Sequence, residues 1–298
     1  MGHAFPRKDS PGMSLRINFN SASLSAQRAL SRTQDDYARS AQRISTGKRI
    51  NSAADDAAGL AVSTKLKAQI TGLNQAQRNV QDGINAIAIG EGALTQMHAL
   101  LSRMRELAVQ AATATVTDSD RAQSNAEFTA LSAEIDRLGN TTAYATIKLL
   151  DGTSSAFQLQ VGANSSDTMT VAFPTANLAG IDATIGAMSS PPTQPSLAAA
   201  LVSTQTDASQ SIDTLDAAIE AISTYRASLG SMSNRLQMSS DNLSTAMENV
   251  SAANSRIEDA DIASTMSELV RTQILQQAGI AILSQANQAP QSVLKLLQ

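Results

Sequence analysis

The sequence predicts a mainly α fold: an elongated, coiled-coil-like helical rod with a small β-hairpin region, and paired terminal helices forming an inner domain. Three observations carry that expectation. Aromatic residues are 3% of the 298 residues and Cys and Trp are absent. The buried area that rings usually supply must then come from small aliphatic side chains on closely spaced helices. Proline is confined to Pro6, Pro11, Pro174, Pro191, Pro192, Pro195 and Pro290. An interior proline costs a helix about 3 kcal/mol, so the proline-free runs 12–173 and 196–289 are free to hold very long helices. The third observation is that apolar residues recur every seven positions in two matched stripes.

The first stripe is Leu66, Leu73, Val80, Ile87, Leu94, Leu101 and Ala108, and the second is Leu215, Ile222, Leu229, Leu236, Leu243, Val250 and Ile257. A seven-residue repeat keeps one face of a helix on a partner. Each stripe covers six heptads, roughly 63 Å at 1.5 Å per residue. Equal lengths predict two long helices, about 57–112 and 205–259, packed antiparallel. A shorter helix is expected at about 118–139, capped by Asp118 or Ser119, with Phe128, Leu131, Ile135 and Leu138 on one face. The period then drops to two. Phe157, Leu159 and Val161, then Met169, Val171 and Phe173, predict a β-hairpin at about 156–173. Residues 174–204, which hold the cluster Pro191-Pro192-Thr193-Gln194-Pro195, read as a loop. Between Lys148 and Arg226 there is no Lys or Arg but there are seven acidic residues, so this section reads as solvated and outward-facing.

The two ends differ from the middle. Leu24, Leu30, Tyr37, Ala41 and Ile44 lie near helical spacing, and Met266, Leu269, Val270, Ile274, Ala278, Ala281 and Ile282 form a broad apolar face. The last 38 residues carry only four charged side chains, Asp261, Glu268, Arg271 and Lys295. Isolated helices are marginal in water and exposed apolar faces mark interfaces. The termini are therefore expected to need each other and other copies of the chain, through Leu30, Tyr37, Ile44, Ile274, Ala278, Ala281 and Leu294. The expected division is a flexible leader at 1–12, an inner domain of 13–56 with 260–298, and a rod domain at 57–259.

Material for chemistry is scarce. The only histidines are His3 and His98, and neither an HExxH helix nor a CxxC pair occurs, so no catalytic, metal or cofactor site is expected. His98 reads as structural or surface. Gly90-Glu91-Gly92 lacks the phosphate-loop pattern and reads as close helix packing. Asp55-Asp56 and Glu258-Asp259-Ala260-Asp261 read as charge contacts with Lys48, Arg49 or Arg256. Arg28, Arg32, Arg39 and Arg43 read as a solvated or channel-facing stripe. A net charge of −4 leaves no electrostatic footprint for nucleic acid, and no apolar run reaches the roughly 18 residues of a membrane span.

Residues 45–62, Ser-Thr-Gly-Lys-Arg-Ile-Asn-Ser-Ala-Ala-Asp-Asp-Ala-Ala-Gly-Leu-Ala-Val, resemble the amino-terminal signature of bacterial flagellins. Residues 101–110, Leu-Ser-Arg-Met-Arg-Glu-Leu-Ala-Val-Gln, resemble the family's next block. At the carboxyl end Ser255–Asp261, Gln273–Gly279 and Gln285–Gln288 agree in order. The resemblance implies a non-enzymatic filament subunit, exported unfolded by the flagellar type III apparatus and placed in the extracellular filament, with terminal segments disordered in the free monomer. It implies as partners other copies of the chain, an export chaperone, cap and hook-junction proteins, and the innate immune receptor TLR5. The family's receptor contacts fall on Arg103, Leu107 and Glu127, with Arg105, Glu106 and Gln110 beside them. About 30 residues, 174–204, stand where many flagellins carry large outer domains, so those should be absent. Where the family often has Phe-Asn-Gly, this chain reads Tyr144-Ala145-Thr146. Two alternatives stay open here: the hook–filament junction protein of the same export family, which matches the carboxyl blocks poorly, and an enzyme displayed on the filament.

Overall fold

The computed structural model describes residues 20–153, 156–188 and 196–296. The elements are α1 (Ser21–Thr46), α2 (Ala57–Ala111), α3 (Asp118–Thr141), β1 (Ala143–Tyr144), β2 (Ile147–Lys148), β3 (Phe157–Gln160), β4 (Thr168–Val171), α4 (Leu178–Met188), a 3-10 turn (Leu197–Ala199), α5 (Gln205–Glu258) and α6 (Ile262–Leu296). They form two compact units. One holds the residues up to Lys65 and from Ala252 onward, and the other spans Leu66–Ser251.

In the larger unit α2 and α5 run antiparallel. Gln77 Nε2 donates to Ser244 Oγ (3.1 Å), Glu91 meets Arg226 (3.7 Å), and the Arg105 guanidinium grips both oxygens of Asp216. Partner numbers on α5 fall as those on α2 rise. Along the seam Leu73, Val80, Ile87, Leu94, Leu101 and Ala108 are buried from one helix and Leu215, Ile222, Leu229, Leu236 and Leu243 from the other. Leu66 and Val250, nearer the ends, are half-buried, as is Ile257 in the smaller unit. Fully burying one such side chain contributes about 1.5–3 kcal/mol, so this seam is the main source of the unit's stability.

The helix α3 begins at Thr117, whose hydroxyl accepts from the Asp120 amide (3.3 Å), with Asp118 and Asp120 in its first turn. Both features suit the electropositive start of a helix. Phe128 and Ile135 bury its inner face. Arg121 is itself buried and donates to the carbonyls of Ala111 (2.8 Å) and Thr113 (2.9 Å) and to Asp118 (2.7 Å). It thereby satisfies carbonyls that the end of α2 leaves without helical partners. The hairpin β3–β4 pairs Phe157 with Val171 and Leu159 with Met169. It lies on α2 at two glycines: a Cβ at Gly90 would come within 3.2 Å of the Phe173 ring and 3.6 Å of Leu229, and one at Gly83 would collide with Leu159. Phe157 and Phe173 meet edge-on with centroids 5.4 Å apart.

Three expectations need correction. Residues 174–204, read as a loop, hold α4 and the 3-10 turn. Asn177 caps α4 by accepting from Gly180 N (2.9 Å), Ile181 and Ile185 are buried, and Asp182 accepts from the amides of Leu197 and Ala198. The proline cluster that suggested a loop lies outside the described residues. The section without Lys or Arg is not simply solvated: Val171, Phe173, Ala176, Ile181 and Leu197 are core residues, because absence of cations does not prevent apolar side chains from burying. Close packing holds for Gly90 but not for Gly92, where a Cβ would meet nothing within 4 Å.

A second, two-residue ribbon, β1–β2, pairs Ala143 with Lys148 and Tyr144 with Ile147. Ala145, the first residue of its turn, has φ of 53°, a region that costs an L-residue roughly 1–2 kcal/mol and that such turns normally give to glycine. Ala145→Gly should therefore stabilise the fold by about 0.5–1 kcal/mol, read as a rise in the calorimetric midpoint; an unchanged or lower midpoint would show that the turn carries no strain.

Candidate assembly interface

The smaller unit contains the two terminal helices, which pair antiparallel. Asn20 Nδ2 donates to the Ala286 carbonyl (2.8 Å) and Ser23 Oγ to Asn287 Oδ1 (2.7 Å). Leu30 lies against Gly279, where an added Cβ would be 3.2 Å from its Cδ1. The inward stripe of α1 is Ser23, Ala26, Leu30, Thr33, Tyr37, Ser40 and Ile44, spaced alternately three and four apart. The stripe of α6 is Thr265, Leu269, Thr272, Gln276, Gly279, Leu283 and Ala286, with the same spacing. Both are coiled-coil patterns, but small and polar residues interrupt Leu30, Tyr37 and Ile44 on one stripe and Leu269 and Leu283 on the other. Ser40 and Thr272 are the buried ones, and Thr272 Oγ1 returns its proton to the Glu268 carbonyl (2.9 Å).

The larger aliphatic side chains of α6 point the other way. Ile262, Met266, Val270, Ile274, Leu275, Ile280 and Ile282 are 44–60% exposed. Ala278 and Ala281 are exposed with them, while Leu30, Tyr37 and Ile44 of α1 are half-buried. Leu294 belongs to α6, and its side chain lies outside the described residues. On α1 the exposed residues are polar apart from Ala22, Ala29 and Ala38, and include Arg28, Arg32 and Arg39; Arg43 is half-buried.

Residues 47–56 join α1 to α2 and are tied to the end of α5. The amides of Arg49 (2.7 Å) and Ile50 (3.5 Å) donate to the Glu258 carbonyl, and Ala260 N donates to the Gly47 carbonyl (2.9 Å). The buried Glu258 carboxylate receives Lys48 Nζ (2.8 Å), Ser63 Oγ (2.7 Å) and Asn254 Nδ2 (3.4 Å), and Arg49 Nη2 donates to the Ile257 carbonyl (2.7 Å). The expected charge contacts therefore hold for Glu258 with Lys48. The aspartates act otherwise. Asp56 accepts from Gly59 N (2.8 Å) at the start of α2, Asp261 from Ser264 N (3.1 Å) at the start of α6, and Asp55 from the amides of Asn51 and Ser52. First-turn amides have no helical acceptor, so a carboxylate placed there is used as a cap rather than as an ion-pair partner.

In the larger unit Arg103 is exposed and bridges α2 to α3, with Nε 3.0 Å from Glu127 and Nη1 3.0 Å from Glu106. Glu106 and Gln110 are exposed beside it. Leu107, only 2% exposed, belongs to the core and is not offered at the surface. Its heptad neighbour Ala108 and the partners Leu101 and Met104 draw that side of α2 inward. His98 is half-buried, and its Nδ1 has no hydrogen-bond partner among the described residues. No cluster of three or more potential metal ligands occurs among those residues. Sequence reasoning missed Ser63 and Arg121, whose polar side chains give no apolar periodicity to find.

Residues 17–155 match the bacterial flagellin N-terminal helical region and residues 212–297 match the bacterial flagellin C-terminal helical region. The chain belongs to the bacterial flagellin family. It is 45% identical to the flagellin of Halalkalibacterium halodurans over 95% of this chain and 99% of that one. It is 40% identical to the flagellin of Bacillus subtilis over 95% and 100%, and 37% identical to the flagellar filament 30.7 kDa core protein of Treponema maltophilum over 94% and 99%. A solved structure from Vibrio parahaemolyticus, described as a flagellar hook-associated protein, aligns over 69% of this chain and 100% of that one, with TM-score 0.55 and 17% identity; that likeness concerns the fold alone. Flagellins are structural, non-enzymatic subunits that polymerise with themselves into the extracellular flagellar filament, and this chain has a short flagellin's length. The carboxyl region, where the junction-protein alternative expects weak agreement, matches along with the amino-terminal one.

The Asp55 carboxyl is held below the usual carboxylate range by the Ser52 amide and hydroxyl, then by the Asn51 amide. A group whose pKa is lowered on folding contributes stability that is complete above its unfolded value, near 4, and that is lost as pH falls through the lower folded value. The 47–56 connection should therefore loosen below about pH 4, seen as faster amide exchange at Asn51 and Ser52. Asp55→Asn should already exchange fast at neutral pH and show a flat profile. Equal exchange in both proteins across that range would refute the assignment.

Proposed function

We propose that this flagellin builds its filament by coupled folding and association of α1 and α6. The observation that carries the reading is the direction of the α6 apolar face. Within one chain the α1·α6 contact is lined mostly by Ser, Thr, Gln, Gly and Ala, with Leu30, Tyr37, Ile44, Leu269 and Leu283 half-buried among them, while Ile262, Met266, Val270, Ile274, Ile280 and Ile282 face solvent. Such a pair gains little from its own seam and is marginal alone. Covering a half-exposed Ile or Val contributes roughly 1 kcal/mol, so several per subunit, repeated at each contact, offset the entropy of ordering the ends. Contacts of this kind between unlike faces do not close and extend as a helix of subunits. The inner domain is residues 13–56 with 260–298 and the rod domain is 57–259; the leader at 1–12 lies outside the described residues. Before export the same face suits an export chaperone, and at the filament's two ends the cap and hook-junction proteins.

Removing residues 260–298 should leave a soluble, helical monomer that forms no filaments under electron microscopy. Ile274→Asp with Ile280→Asp should change the stability of the larger unit by no more than about 0.5 kcal/mol, because both sites are exposed, yet also abolish polymerisation. Filaments from either variant would contradict the scheme.

We also propose, from family membership, recognition of the depolymerised subunit by the innate immune receptor TLR5 at the α2–α3 surface. What supports it is the exposed Arg103–Glu127 bridge flanked by Glu106 and Gln110. Leu107 would then support the surface from beneath. Arg103→Ala should weaken receptor binding about tenfold or more while leaving the circular dichroism melt nearly unchanged; unaltered affinity would remove the proposal.

A further inference from the structure

The apolar seam of α2 and α5 does not by itself define how the two helices are aligned. Every seam position over six heptads is apolar, so sliding one helix by seven residues puts apolar residues opposite apolar residues again. The column of α2 three residues before the seam is different. It reads Ser63, Ile70, Gln77, Ile84, Glu91, His98 and Arg105. Of its five polar members, Ser63, Gln77, Glu91 and Arg105 stand every fourteenth residue and each finds a polar partner on α5, whereas His98 Nδ1 finds none among the described residues. Ser63 Oγ reaches Asn254 Oδ1 (2.8 Å) and the Glu258 carboxylate (2.7 Å); Gln77 reaches Ser244, Glu91 reaches Arg226, and Arg105 reaches Asp216. The first rung lies in the smaller unit and the other three in the larger.

We infer that the three rungs of the larger unit set the register of its long helices, a positioning role in producing one assembly-competent subunit. One heptad away, Glu91 would stand opposite Ile219 or Ser233, and Arg105 opposite Ser209 or Ser223. Arg226, whose Nε is buried without a partner among the described residues even in the native alignment, would lose Glu91 and face Ile84 or His98. Loss of Glu91 beside Arg226, whose Nε is buried, penalises the slipped states, and polar residues beside an apolar seam specify alignment at some cost in stability. The rungs are spaced by two heptads, with Ile70, Ile84 and His98 between them, so a slip of one heptad breaks every one at once. Exposed pairs such as Arg105–Asp216 contribute little to stability; their part is in choosing among alignments that the apolar seam leaves nearly equal.

The chain has no cysteine, so two introduced at the exposed Thr71 and Ser223 carry the only spin labels, and their separation in the monomer reports register. A one-heptad slip changes the axial offset by about 10 Å. The parent protein should give one separation. A variant with Gln77, Glu91, Arg105, Ser244, Arg226 and Asp216 all changed to Leu should give at least two separations differing by about that amount and should form filaments poorly. Glu91→Arg alone should broaden the distribution, and Glu91→Arg with Arg226→Glu should restore it. If the leucine variant keeps one unshifted separation, the inference is overturned. If the leucine variant does not fold, the reciprocal exchange decides: no recovery over Glu91→Arg overturns it, and recovery supports it. The proposal rests on the filament reading only in the assembly readout. The separation is measured on unassembled chain, so filaments from the truncated or Ile274→Asp protein would sink that reading and leave this one standing.

Discussion

The constraint on which the rest depends is that the best apolar face of α6 has nothing in its own chain to cover it. Its inner stripe, from Thr265 to Ala286, has only Leu269 and Leu283 as large apolar residues among Thr, Gln, Gly and Ala, and its outer stripe carries the isoleucines. A globular protein would be expected to arrange these the other way round. Thr272 and Gly279 let α1 approach closely without providing much apolar burial. The pairing of α1 and α6 is thereby specific but weak, and the strong face is left for neighbours. On the proposed assembly scheme, neighbouring copies would cover that face.

The larger unit follows the opposite logic. Its seam is buried from Leu73 to Ala108 and from Leu215 to Leu243, α3 and the β3–β4 hairpin close over α2, and glycines appear at the close approaches to Leu159 and Phe173. Arg121 ties off the end of α2 where carbonyls would otherwise be buried without donors. This unit therefore holds its apolar burial internally, whereas the terminal helices leave theirs exposed.

Polar residues do the aligning in both units. The Lys48–Glu258–Ser63 cluster anchors the connection between α1 and α2, aspartates cap the helices that leave it, and the rungs at 77, 91 and 105 line one side of the α2–α5 seam. None of these contacts is large in energy, and several are exposed. Their value lies in being unsatisfied elsewhere, which separates the native arrangement from others that bury the same apolar area. The turn at Ala145 is a local departure from this consistency: a positive φ on alanine.

By itself the sequence determined the long helices, the seam, the short helix with Phe128 and Ile135 inward, the hairpin from Phe157 to Phe173, and membership of a filament family. Those features rest on periodicity and on local preference, which a linear string displays directly. It also determined that α6 has an apolar face. Only the tertiary structure decided which way that face points, because Ile274 and Thr272 differ by half a turn and either could have met α1. It likewise decided that Leu107 is core rather than surface, that α4 and a 3-10 turn form within 174–204 around Ile181 and Ile185, that Asp56 and Asp261 cap helix starts, and that Asp55 holds the amides of the connection before α2. Each of those outcomes depends on partners far away in the chain, and a seven-residue repeat carries no information about which distant segment will arrive at it.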